Sequence, residues 1–119
     1  MLYNSTLNKD KKVTSAQAIA QGIADDGGLF VPEVFPEISD NEMKELLNGD
    51  YKSRAKLIFG KYLTDFTPDE IDECVEKAYT AEKFESENPA PLHRCTYNGN
   101  DINVLELWHG PTSAFKDMA

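Results

Sequence analysis

The segment Glu85-Ser86-Glu87-Asn88-Pro89-Ala90-Pro91 constrains this chain more than any other. Proline lacks a backbone N–H and biases the residue before it away from helix, so no regular element runs through two prolines this close. Before the segment, apolar residues recur at helical spacing; after it, the pattern is extended. The break divides the chain into a helix-rich unit, residues 1–88, and the opening of a sheet-based unit, residues 89–119. Taken alone, the 119 residues read as an α+β arrangement with a short N-terminal strand and a later hairpin.

Within the first unit, Leu2 to Leu7 reads as a strand and Lys9 to Lys12 as a charged turn. Thr14 with Gln17 has capping-box spacing and predicts a helix whose buried face carries Ala16, Ile19, Ala20 and Ile23, ending at Gly27-Gly28. Leu29-Phe30-Val31 is a short apolar strand closed by Pro32 and Pro36. Ser39 with Glu42 opens a second helix burying Met43, Leu46 and Leu47 before Gly49. Asp50 caps a third, with Tyr51, Ala55, Ile58 and Tyr62 on one face. Thr67-Pro68-Asp69-Glu70 starts a fourth with cap, first-turn proline and early acids. Its buried stripe is Ile71, Cys74, Val75, Ala78 and Tyr79, and Asp72, Glu73 and Glu76 form its solvated face. Beyond the break, Leu92 to Tyr97 and Asp101 to Trp108 flank Asn98-Gly99-Asn100, a strong hairpin signal.

A net charge of −9 opposes nucleic-acid binding, since phosphates would repel it. No apolar run approaches the roughly 18 residues of a membrane span, and Met1 to Thr6 lacks the basic-then-apolar order of a signal peptide. Cys74 and Cys95 form no CxxC pair and read as two reduced structural thiols. No His/Cys cluster has metal-ligand spacing, and there is no glycine-rich phosphate loop or Ser/His/Asp arrangement.

Chemistry concentrates after the hairpin. His109-Gly110-Pro111 is a turn, and Thr112 or Ser113 is placed to cap a terminal helix with Lys116 in its first turn. The positive end of a helix dipole, and burial, both favour a neutral amine, the form that attacks carbonyls. The alternative is an ordinary surface lysine. Backbone N–H groups at the helix start, with the Thr112 hydroxyl, suit a phosphate or carboxylate. The alternative is that Thr112 only caps the helix and His109 only satisfies the loop. Phe115 is a candidate partner for a flat cofactor ring or a core residue, and Asp117 an acid stabilising the helix start. His93 stands alone on a strand.

The run Glu106-Leu107-Trp108-His109-Gly110-Pro111-Thr112-Ser113-Ala114-Phe115-Lys116-Asp117 closely resembles the cofactor-lysine segment of threonine synthases, with tryptophan where phenylalanine is usual. Tyr3-Asn4-Ser5-Thr6 resembles that family's opening. Ser15 to Ile19, Gln21-Gly22 and Asp26 to Pro32 resemble its first helix and strand. Leu7 departs from the arginine many members carry after Ser-Thr.

The resemblance implies a fold of the tryptophan-synthase-β-like kind, an α/β architecture of pyridoxal-phosphate (PLP) enzymes called fold type II. It implies conversion of O-phospho-L-homoserine and water to L-threonine and phosphate in the cytoplasm. Lys116 would anchor the cofactor and shuttle protons, Phe115 would adjoin it, and His109 and Thr112 would be substrate-side contacts. Members are longer, and this chain stops three residues past Lys116. The expectation is therefore a chain inactive alone, not retaining PLP, with Met118 and Ala119 frayed at the end. Two other readings stay open: a non-enzymatic structural or association module, and a related PLP phospho-lyase that does not make threonine. The oligomeric state is open as well.

Overall fold

A computed structural model of the chain describes residues 1–118. Strand β1 (Tyr3–Ser5) is the centre of a three-stranded antiparallel sheet, between β2 (Lys12–Val13) and β3 (Phe30–Pro32). Tyr3 pairs with Val13 on one side and Pro32 on the other, and Ser5 pairs with Phe30. The expected charged turn over Lys9 to Lys12 is thus shorter, because Lys12 joins the sheet.

Helix α1 (Ser15–Gln21) carries the expected capping box: the Thr14 N–H donates to Gln17 Oε1 (2.9 Å) and the Gln17 N–H to Thr14 Oγ1 (3.3 Å). It ends at Gly22, with φ 76°, and not at Gly27-Gly28. An Ile23–Leu29 bridge closes a loop after the helix, and Gly27 (φ 84°) serves a turn inside that loop. The expected buried face also fails. Ile19 and Ile23 are more than half exposed, while Ser15 and Ala18 are buried. Asp65 explains the orientation: its carboxylate accepts from the Ser15 N–H (3.3 Å), the Ala16 N–H (3.0 Å) and the Ser15 hydroxyl. The Ser15 hydroxyl first, then the Ala16 N–H, hold the Asp65 carboxyl well below the usual carboxylate range.

Ser5, 1% exposed, ties the sheet to that loop. Its hydroxyl donates to Asp26 Oδ1 (2.7 Å) and accepts from the Leu7 N–H (3.1 Å), while the Gly28 N–H donates to the same Asp26 oxygen (2.9 Å). A Cβ on Gly28 would run into Ser5 Oγ and come within 3.1 Å of the Leu7 nitrogen. The Ser-Thr and Asp-Gly-Gly segments are therefore two halves of one structural lock.

Helices α2 (Asp40–Asn48), α3 (Tyr51–Tyr62) and α4 (Pro68–Ala78) follow, each with the predicted capping residue. α2 buries none of its residues: Met43 and Leu47 are exposed and Leu46 is half-buried. Polar ties hold it instead, including Lys61–Glu42 (2.7 Å) and Arg54 Nε to Leu46 O (2.6 Å). Lys61, with the Ser39 N–H and hydroxyl, lowers the Glu42 carboxyl to about 2.

The main core lies where α4 meets α3. Ile71, Val75 and Tyr79 recur at i, i+4 and bury one narrow stripe, leaving Cys74 and Ala78 exposed against expectation. Phe84, from the short helix α5 (Ala81–Phe84), completes the cluster at 1% exposure. Tyr51, Ala55, Phe59, Leu63 and Phe66 pack around it. The acidic face of α4 is not merely solvated, since Glu76 bridges Lys52 (2.6 Å) and Lys56 (2.7 Å) of α3. Such solvent-screened pairs contribute little to stability, so the apolar stripe dominates.

Past the prolines, β4 (Leu92–Tyr97) and β5 (Asn100–Leu105) form an antiparallel hairpin. Asn98 (φ 50°) and Gly99 (φ 76°) make its two-residue turn, the left-handed pair such a tight turn requires. The second strand stops at Leu105, short of the expected Trp108. Both sheets are antiparallel, so the described residues form a mixed helix-and-strand domain.

Candidate functional site

The chain from Glu106 onward folds into a self-locking loop. The Glu106 N–H donates to Pro91 O (3.0 Å), fixing the exit from the hairpin to the proline segment. Gly110 O then accepts from the Ser113 N–H (2.9 Å), closing a turn around Pro111, and Ser113 takes φ 55°. The expected terminal helix is one 3₁₀ turn, Phe115–Met118. Ser113's left-handed backbone breaks any helix start at Thr112, which is why the turn begins later.

Asp117 fastens this loop. Its carboxylate accepts from the Thr112 N–H (2.8 Å) and hydroxyl (2.7 Å), and these two bonds, the hydroxyl first, hold its carboxyl below the usual range. Gly110 is buried directly against Asp117. Sequence reasoning identified Asp117 as a helix-start acid, but not that it engages Thr112 and requires glycine at 110.

Lys116 lies between these fastened residues, exposed, and makes no ion pair or hydrogen bond among the described residues. Its expected burial is not observed. It borders an open hollow lined by Tyr51, Ala90, Leu105, Leu107, Phe115 and Met118. Phe115 is 66% exposed and fills no core. His109, half-buried, has Nε2 2.6 Å from Glu106 Oε2, and its ring stacks on Trp108 (centroids 5.7 Å apart, 29° between planes). Cys95 and His93 lie on the exposed hairpin. Among the described residues no group of His, Cys, Asp or Glu has a metal-binding arrangement.

The expectation of a frayed end fails for Met118; Ala119 lies outside the described residues. Met118 packs against the helical core, its carbonyl accepting from Tyr79 Oη (2.9 Å) and its sulfur from Tyr51 Oη (3.7 Å). No local sequence signal marks these contacts, which join residues 39 and 67 positions apart.

A mixed helix-and-strand domain thus presents Lys116 on the 3₁₀ turn that follows the fastened Gly-Pro-Thr segment. The family described as "Threonine synthase N terminus" matches residues 2–79. The Escherichia coli threonine synthase is 39% identical over 117 residues, covering 98% of this chain and 25% of that protein. Human threonine synthase-like 1 is 37% identical over 107 residues, covering 87% of this chain and 14% of that one. Among solved structures, the yeast threonine synthase superposes with a TM-score of 0.86 at 30% identity, covering 98% of this chain and 23% of that one. The PLP-bound Brucella melitensis threonine synthase gives 0.84 at 30% identity, with 98% and 24% covered. The chain belongs to the threonine synthase family. Within that family it corresponds to the N-terminal region, spanning about a quarter of the threonine synthases it matches.

Proposed function

We propose that this chain supplies the N-terminal region and the cofactor lysine of a threonine synthase that converts O-phospho-L-homoserine and water to L-threonine and phosphate. The observation that carries the reading is Lys116: an unpaired primary amine, on a fastened turn, beside an apolar hollow. An aldehyde on a flat aromatic ring fits that donor and that surface. The PLP in the Brucella relative supports the choice of cofactor. When bound, PLP supplies the electron sink for eliminating phosphate and adding water.

The chain's own residues then have distinct tasks. Lys116 holds the cofactor covalently through Nζ and, when released, moves protons at the same atom. Phe115 offers a ring face next to it. His109, oriented by Glu106, and Thr112, whose hydroxyl keeps lone pairs beyond the bond it gives Asp117, would be the substrate-side contacts. Residues 1–88 form the N-terminal domain and 89–119 the start of a PLP-binding domain of fold type II, in a cytoplasmic protein. Among the described residues no helix is long and apolar enough to cross a membrane. The 119 residues alone are expected to be inactive and not to retain PLP.

Fusing the chain to the part of the Escherichia coli enzyme that follows its matched region tests this. Threonine formation from O-phospho-L-homoserine is expected from the fusion, with background levels from Lys116→Ala and from the chain alone. Equal turnover with and without Lys116 would overturn the assignment. A second reading is a phospho-lyase that releases phosphate from the same substrate class without forming threonine; one relative, the human protein, is named as like a threonine synthase rather than as one. Assaying both products separates the two.

A further inference from the structure

The lysine turn is fastened on two sides. On one, Asp117 grips Thr112 and packs on Gly110; on the other, Met118 is held by the helical core. We propose that Tyr79 and Tyr51, both far from the lysine in sequence, are positioning residues for Lys116, acting through Met118. The proposal rests on Lys116 being the cofactor anchor.

Tyr79 is 4% exposed and closes α4, its N–H bonded to Val75 O. Its ring is wedged between Phe84 (centroids 5.9 Å) and Tyr51 (4.9 Å, edge-on at 67°), which fixes the position of its hydroxyl oxygen. That hydroxyl meets the carbonyl of Met118 at 2.9 Å, and Tyr51 Oη reaches the Met118 sulfur at 3.7 Å. Burial raises both phenols, Tyr79 to about 12, so both remain donors at neutral pH. A backbone carbonyl two residues past Lys116, fixed to a rigid core, limits how the 3₁₀ turn can rotate. Rotation of that turn is the motion that would carry the amine away from the hollow it borders. Orientation of a reacting group is worth large rate factors, and small displacements are costly. The same two tyrosines line the hollow or its neighbour, so core and site are continuous there.

The test uses the chain itself with pyridoxal phosphate, transient adducts trapped by borohydride and quantified at each lysine by mass spectrometry. Lys9 and Lys44 make no ion pair among the described residues and serve as internal references. In the unsubstituted chain Lys116 should be trapped in excess over both. Tyr79→Phe keeps the ring and removes one hydrogen bond. It should speed hydrogen exchange at the Asp117 N–H about fivefold, the equivalent of one lost bond, and lower the Lys116-to-Lys9 ratio without changing Lys9 or Lys44. An unchanged ratio, with or without faster exchange, overturns the positioning role while leaving the anchor intact. No excess at Lys116 in the unsubstituted chain overturns the anchor, and the positioning role with it. If Tyr79→Phe fails to fold, Tyr51→Phe, at a half-buried site, is read the same way: a lowered ratio supports the role and an unchanged one overturns it.

Discussion

Phe84→Ala is expected to lower the melting temperature by roughly 10–20 °C, the largest single loss in the helical unit. Phe84 is 1% exposed, in contact with Tyr79, and comes from a helix of four residues that cannot close over an empty site. Truncating a buried phenylalanine costs about 3–5 kcal/mol, a large part of the stability of an ordinary domain. Leu47→Ala is the control. Leu47 is 71% exposed, despite looking equally apolar in sequence, and its truncation should change stability by about 0.5 kcal/mol or less. Thermal denaturation of the two variants checks this, and equal shifts would contradict the core assignment.

Gly110→Ala should open the lysine loop. A Cβ there would lie 2.5 Å from Asp117 Oδ2 and 2.8 Å from its Cγ, and would also overlap Asp117 Cβ. Turning the carboxylate cannot relieve a clash that includes Cβ, so the backbone must move, at about 1–3 kcal/mol for overpacking of this kind. The Thr112–Asp117 bonds should break and hydrogen exchange accelerate from Ser113 to Met118, with α3 and α4 unaffected. Acid should loosen the same lock. Because Thr112 lowers the folded Asp117 pKa, its contribution is complete above the ordinary value of 3.8 and is lost as pH falls through the lower folded value. Asp117→Asn should abolish that pH dependence.

The elements that were legible in sequence are those with local causes. Capping residues Thr14, Ser39, Asp50 and Thr67 each start a helix because their side chains satisfy N–H groups within the same turn. Asn98-Gly99 makes its hairpin for an equally local reason. Burial was less legible. Asp65, fifty positions from Ser15, turns α1 so that Ala18 faces inward and Ile19 outward, and no periodicity encodes that. Phe84 escaped because four residues show no period. In the lysine loop the residue types were readable, but the left-handed Ser113 and the Asp117 fastening depend on three-dimensional closure. That closure converts an expected helix into one 3₁₀ turn. The Tyr79–Met118 contact joins two segments on either side of the proline break, so sequence pattern could not supply it.

The central claim is that Lys116 is the group on which an aldehyde cofactor is anchored. Titrating pyridoxal phosphate into the fusion with the Escherichia coli remainder, and following the absorbance band of the lysine adduct, tests it most directly when repeated with Lys116→Ala. A band is expected in the unsubstituted fusion and is lost in the variant, leaving only weak modification of the remaining lysines. Bands of equal strength in both would mean that the reaction is nonspecific and would contradict the assignment of Lys116.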